Sequence, residues 1–143
     1  MDLRSEKSKQ MTFGQLLKII IDEVERNFGM KVLLQIESDA LLPEKVELAL
    51  SRIARECLIN AGKHANASMV EVQFDGMLQQ ALLKVKDNGK GFEPDQPGSG
   101  QMGLQIMNER IEQIGGTLDV VSKPTIGTTL TAVWIEDADG QED

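Results

Sequence analysis

Hydrophobic and polar residues alternate along the chain with a period that changes several times, and each change marks an element. Residues 12–28, TFGQLLKIIIDEVERNF, place Leu16, Ile20 and Val24 at helical spacing behind Thr12, a suitable N-cap, with Gly29 positioned to stop the helix. KVLLQIES then alternates through Val32, Leu34 and Ile36 and reads as a strand. From Pro43 to about Ala65 the period returns to that of a helix, with Val46, Leu50, Ile53, Cys57 and Ala61 forming one apolar stripe. MVEVQF and ALLKVKD alternate as strands, the first through Val70, Val72 and Phe74, the second through Leu83, Val85 and Asp87. After the Gly/Pro-rich stretch 88–102, a helix from Gly103 to Ile114 turns Leu104, Met107, Ile111 and Ile114 inward and ends at Gly115-Gly116. TLDVVS and TTLTAVWI form the last two strands, joined by a turn containing Pro124 and Gly127.

Strands joined by short turns predict a mixed, mainly antiparallel sheet with helices packed on one face, an α+β two-layer arrangement. That order bears on PGSGQMGL, where Gly98, Gly100 and Gly103 have the spacing of a dinucleotide-binding fingerprint. Such a fingerprint needs a strand running directly into the glycine turn. Here DNGKGFEPDQP intervenes, and Asp119, the candidate ribose acid, falls in mid-strand. The glycines serve another purpose.

Bulk properties narrow the choice further. The chain has 143 residues, enough for one domain with a real core, and a net charge of -8. With no basic surface to displace counterions, it is not expected to bind nucleic acid. One cysteine excludes an internal disulfide, and one histidine leaves too few soft ligands for zinc. No apolar run reaches the ~18 residues of a membrane span, so a cytoplasmic protein without direct membrane contact is expected.

Three constellations are able to carry chemistry. In RECLINAGKHA, Glu56, Asn60, Lys63 and His64 share one helix face, either as a solvated polar surface or as a site for Mg²⁺ and phosphate oxygens. In KVKDNGKGF, Asp87 falls on the inward face of its strand, at a cost unless something donates to it. It either ends the strand in an Asp-Asn turn or accepts an exocyclic amine, with Gly89 and Gly91 admitting a flat base. In GSGQMGL and TIGTTL, glycines ahead of a helix, and Gly127 with Thr128 and Thr129, offer donors to an anion or merely shape loops. Cys57 and His64 lie about 10 Å apart along a helix, too far for a nucleophile and its base.

Taken together, RECLINAGKHA, DNGKGF, GQMGLQIMNER and GTTL resemble the N, G1, G2 and G3 boxes of the ATP-binding catalytic domain of sensor histidine kinases. The wider resemblance is to the ATPase superfamily, of Bergerat-type fold, shared with type II topoisomerases, Hsp90 chaperones and mismatch-repair ATPases. Glu-x-x-x-Asn-x-x-Lys-His and Gly-Leu-x-x-Met-x-Glu-Arg point to kinases acting on NarL-type response regulators. The resemblance implies Mg²⁺-ATP as ligand, with Asn60 holding Mg²⁺ to the phosphates and Glu56 orienting the attacking group. It places Lys63 and His64 near the phosphates, Asp87 on the adenine amino group, and Gly89 and Gly91 around the adenine. Residues 90–102 become a lid, with Gly100 and Gly103 as its hinge and phosphate contact, Leu104 among the ATP-binding residues, and Thr128 and Thr129 closing the site. The implied partners are a histidine-containing dimerisation domain and a response regulator.

The resemblance divides the chain into residues 1–11, the end of a preceding dimerisation segment or linker; 12–135, the catalytic domain; and 136–143, an acidic disordered tail. No acceptor histidine accompanies it, since His64 lies inside the N box, so an excised or separately encoded domain without autophosphorylation in cis is expected. A non-catalytic ATP-binding regulatory module is the alternative. Gly62 departs from the resemblance, which usually has a larger apolar residue there, and costs about 1 kcal/mol of helix stability with no evident return.

Overall fold

The computed structural model describes residues 11–63, 66–90 and 101–137. His64, Gly91 and Gly100 lie outside these, as do residues 1–10 and 138–143. The elements run α1 (Phe13–Phe28), β1 (Lys31–Asp39), α2 (Glu44–Lys63), β2 (Met69–Met77), β3 (Gln80–Asp87), α3 (Gln101–Gln113), β4 (Thr117–Lys123) and β5 (Gly127–Ile135). The five strands form one sheet in the order β1-β2-β3-β5-β4. β1 and β2 pair in parallel through the α2 crossover, and every other pair is antiparallel. This is the expected mixed α+β architecture, with β5 inserted between the two strands that α3 connects.

Local chemistry sets the helix ends. Thr12 caps α1 by accepting from Gln15 N at 3.1 Å, while the Gln15 side chain accepts from Thr12 N at 2.9 Å, a reciprocal capping box. Gly29 ends the helix at φ 72°, donating to Glu25 O at 2.9 Å. The Asp39 carboxylate, at the end of β1, fastens this N-terminus: Oδ2 accepts from Thr12 Oγ1 at 2.6 Å and Oδ1 from Gly14 N at 3.0 Å. The buried stripe of α1 is Phe13, Leu17, Ile20, Ile21 and Val24, which includes Ile20 and Val24 of the expected line and puts Leu16 at its rim.

The core lies between the helices and one face of the sheet. Alternation sends Val70, Val72 and Phe74, then Leu83 and Val85, then Leu130, Ala132 and Trp134 into it. Phe13 meets Phe74 with ring centroids 4.7 Å apart, and each such burial contributes about 1.5–3 kcal/mol. On the other face Leu33, Leu82 and Val121 remain exposed. No described helix is long and apolar enough to cross a membrane.

Gly62 acquires a structural reason. A methyl group at this position would stand 2.6 Å from Cγ of Phe28, so the last turn of α1 packs where a side chain on α2 would be. The glycine is the contact that lets the two helices approach.

Candidate nucleotide site

The three constellations converge at one end of the sheet, where β3 finishes and β5 starts. Glu56 and Asn60 lie one turn apart on α2 and are half-buried, while Lys63, its last residue, is exposed. The start of α3 is seated against them at Gly103. A methyl group there would stand 3.3 Å from Glu56 Oε2 and 3.7 Å from Asn60 Nδ2. The N-terminal end of α3, where N–H groups have no intrahelical partner and the helix dipole is positive, therefore lies beside a carboxylate and a carboxamide. Leu104 is half-buried and packs on the core, with Met107 buried one turn beyond.

Asp87 sits at the end of β3 between Val70 of β2 and Thr128 of β5. Its Oδ1 accepts from Gly89 N at 2.8 Å and, more weakly, from Thr128 N at 3.4 Å. Burial raises the carboxyl above its ordinary value, and the two backbone donors oppose that rise without cancelling it. Both donors fall on the same oxygen, which leaves Oδ2 for a donor from outside.

Close backbone contacts fix Asp87 in place. Gly127 has φ 138°, and a methyl group on it would fall on the Asp87 carbonyl oxygen, so only glycine lets the two strand ends approach this closely. Asn88 ties the strand end to β2: its Oδ1 accepts from Ser68 N and Met69 N, both at 3.1 Å, and its Nδ2 donates to Ser68 Oγ at 3.0 Å. Lys90 O accepts from Thr125 N in the turn between β4 and β5.

Cys57 stands at the seam between the two groups. Its Sγ lies 3.7 Å from Met107 Sδ, and burial, then the Glu56 and Asp87 carboxylates, push the thiol well above its ordinary value. It is therefore a neutral packing group. A groove of about 230 Å³ between α2 and α3 is lined by Arg52, Arg55, Glu56, Ile59, Ile106 and Arg110. Glu56 faces both this groove and Gly103.

The structure thus gathers Glu56, Asn60 and Gly103 in one group, and Asp87, Gly89 and Thr128 in another. Thr129 belongs to neither. Leu130, Ala132 and Trp134 point into the core, so Thr128 shares their face and Thr129 takes the opposite one, between Lys86 and Val121. Of the two threonines expected to close the site, Thr128 is the one on the inward face beside Asp87. Two contributors escaped the sequence reading. Asn88 gave no signal beyond a turn, whereas Ser122, whose Oγ lies 2.7 Å from Thr128 Oγ1, was readable as the next inward position after Leu118 and Val120.

Residues 45–138 match the family model for histidine kinase-, DNA gyrase B- and HSP90-like ATPases. Sensor protein VraS of Staphylococcus haemolyticus is 34% identical over 128 residues, which cover 90% of this chain and 36% of that protein. The Staphylococcus aureus VraS match has the same identity and covers 37% of its relative, so this chain spans little more than a third of these relatives. The blue-light activated histidine kinase of Erythrobacter litoralis superposes with a TM-score of 0.70 at 26% identity, over 87% of this chain and 45% of that one. The mycobacterial sensor histidine kinase MprB has the same fold, with a TM-score of 0.65 at 20% identity, over 87% of this chain and 96% of that one.

Proposed function

Because this chain belongs to the histidine kinase-, DNA gyrase B- and HSP90-like ATPase family, we propose that it binds Mg²⁺-ATP and donates the γ-phosphoryl group to a histidine on a separate dimerisation domain, from which a response regulator is phosphorylated. The observation that carries this reading is the division of labour at Asp87: one carboxylate oxygen held by the backbone, the other open to an amine. The adenine amino group would donate to Oδ2, and the phosphates would extend toward Asn60 and the N-terminal end of α3. An acidic protein attracts ATP poorly at long range, so Lys63 and the helix dipole supply the local positive field.

The oxygen donors present suit a hard divalent cation. Among the described residues no three His, Cys, Asp or Glu side chains gather as a metal cluster, so Asn60 would share such an ion with the phosphate oxygens. Such an ion would supply charge neutralisation on the triphosphate. In the transfer itself, an imidazole nitrogen of the acceptor forms a bond to the γ-phosphorus as the bond to the bridging oxygen breaks, and ADP leaves. Glu56 would orient that imidazole and take its proton, and the groove it lines would give the acceptor segment a way in.

Calorimetric titration with ATP, with and without Mg²⁺, tests the reading. Asp87→Asn should lose about 1–3 kcal/mol of ATP binding, because the amide NH₂ then faces either the amine or the two backbone donors, and a donor meets a donor. Binding to the unmodified chain should weaken as pH falls through the raised Asp87 titration, since the amine needs the charged carboxylate. The stability of the ligand-free protein should move the other way. A folded-state value above the unfolded one gives stability that is present at low pH and lost as pH rises through the folded value. Unchanged affinity in Asp87→Asn would remove the adenine role. Tight ATP binding with no transfer to a supplied acceptor segment would instead identify a regulatory module.

A further inference from the structure

A net charge of -8 repels a polyphosphate on average, but the charges are sorted by position. Lys31 of β1, Asp87 of β3 and Lys123 of β4 all fall at the end of the sheet where β5 starts. Val32 and Val85 are buried and Val121 is exposed, so alternation puts Lys31, Lys86 and Lys123 on the open face at this end. Lys90 joins them, because its carbonyl accepts from Thr125 N in the turn that follows Lys123. All four lysines are exposed, and among the described residues their ammonium groups have no ion-pair partner. Glu71, across from Lys86 on β2, offsets one of them. The far end is acidic: Glu37 and Asp75 lie on the strands, Glu44 and Glu47 in the first turn of α2, and Glu136 and Asp137 after β5.

We propose that Lys31, Lys86, Lys90 and Lys123 steer the nucleoside triphosphate to the site, speeding its arrival without touching it once bound. The inference rests on the ATP reading of Asp87 and Asn60. Lys31 and Lys123 each lie two strands from Asp87, about 10 Å at a strand spacing of about 4.8 Å. That is comparable with the Debye length of about 8 Å at physiological ionic strength, so their field reaches an anion arriving at this end. Asp87 lies on the inward face and Asn60 on the helix layer beyond it, so the sheet stands between the ammonium groups on the open face and the bound phosphates. Charges placed at such a rim act on the association rate and its salt dependence, and little on dissociation.

Stopped-flow mixing of the whole chain with a fluorescent methylanthraniloyl derivative of ATP and Mg²⁺ separates the two rates. Lys86→Gln combined with Lys123→Gln should lower the association rate constant about threefold in low salt and leave the dissociation rate constant unchanged. The difference should fade as added salt approaches about 0.5 M. Lys86→Arg combined with Lys123→Arg should keep the original rate. Lys45→Gln removes the same charge near the acidic start of α2 and should change neither constant. An association rate untouched by the paired glutamines, or lowered equally by Lys45→Gln, would overturn the proposal. So would a change confined to dissociation, which belongs to a direct contact. Failure of the unmodified chain to bind the nucleotide would remove the ATP reading and this inference together. Binding at a salt-independent rate would remove this inference alone.

Discussion

Two aspartates end two strands of the same sheet, and they are used differently. Asp39 closes β1 and gives both oxygens to the start of α1, Oδ2 to the Thr12 hydroxyl and Oδ1 to Gly14 N. Asp87 closes β3 and takes both its backbone donors on Oδ1 alone. A carboxylate saturated within the fold is a staple. One that is oriented by the fold yet keeps an oxygen suits the binding role proposed for it, and the price is burial that raises its titration. Residue type and strand position do not distinguish the two; the destination of each oxygen does.

Each aspartate also has a glycine against it, and the largest expected effect comes from there. A methyl group on Gly14 would meet the end of the Asp39 side chain, which is able to shift. One on Gly127 would fall on the Asp87 backbone carbonyl, at a φ of 138° that side chains avoid. Gly127→Ala should therefore cost about 3 kcal/mol or more in urea unfolding and abolish ATP binding, with Gly14→Ala clearly milder. The reverse order would mean that the staple, not the nucleotide end, is the tighter of the two contacts.

Replacing the carboxylates themselves sharpens the contrast. Asp39→Ala leaves Gly14 N and the Thr12 hydroxyl without their partner, and should cost about 1–2 kcal/mol of stability while leaving ATP affinity unchanged. Asp87→Asn should show the opposite pattern, with affinity lost and stability kept. A loss of ATP affinity in Asp39→Ala would show that the two ends of the sheet are coupled.

The same contrast explains what could be read in advance. Periodicity located every element among the described residues, and alternation put Val85 and Asp87 on one inward face, because those signals are local. In α1 the expected Ile20 and Val24 are buried, but Leu17 and not Leu16 joins them, because both leucines continue to Ile20 and Val24 at near-helical spacing and only packing chooses between them. Alternation could also have separated Thr128 from Thr129, since Leu130, Ala132 and Trp134 fix the phase of β5. Other features depend on pairing between distant segments. Gly62 is explained by Phe28 on another helix, the placement of β5 between β3 and β4 by sheet assembly, and the fate of Asp39 by donors far along the chain, whereas Asp87 takes one donor from two residues on and one from distant Thr128.

The smallest expected effect lies where the two halves of the site touch. Gly103 is within the first turn of α3, and alanine there gains up to about 1 kcal/mol of helix propensity. The new methyl would stand 3.3 Å from Glu56 Oε2, tighter than ordinary contact, but that oxygen is the far end of a flexible side chain and is able to move by the few tenths of an ångström required. Gly103→Ala should therefore stabilise the fold by about 0.5 kcal/mol in urea unfolding, leave ATP affinity within about twofold, and slow phosphoryl transfer to a supplied acceptor through the displaced carboxylate. Unlike Asp39 or Asp87, Glu56 would be perturbed here without losing an atom. Transfer at the unmodified rate would show that the chemistry tolerates movement of Glu56, and would shift the weight of catalysis onto Asn60 and the charge on the phosphates.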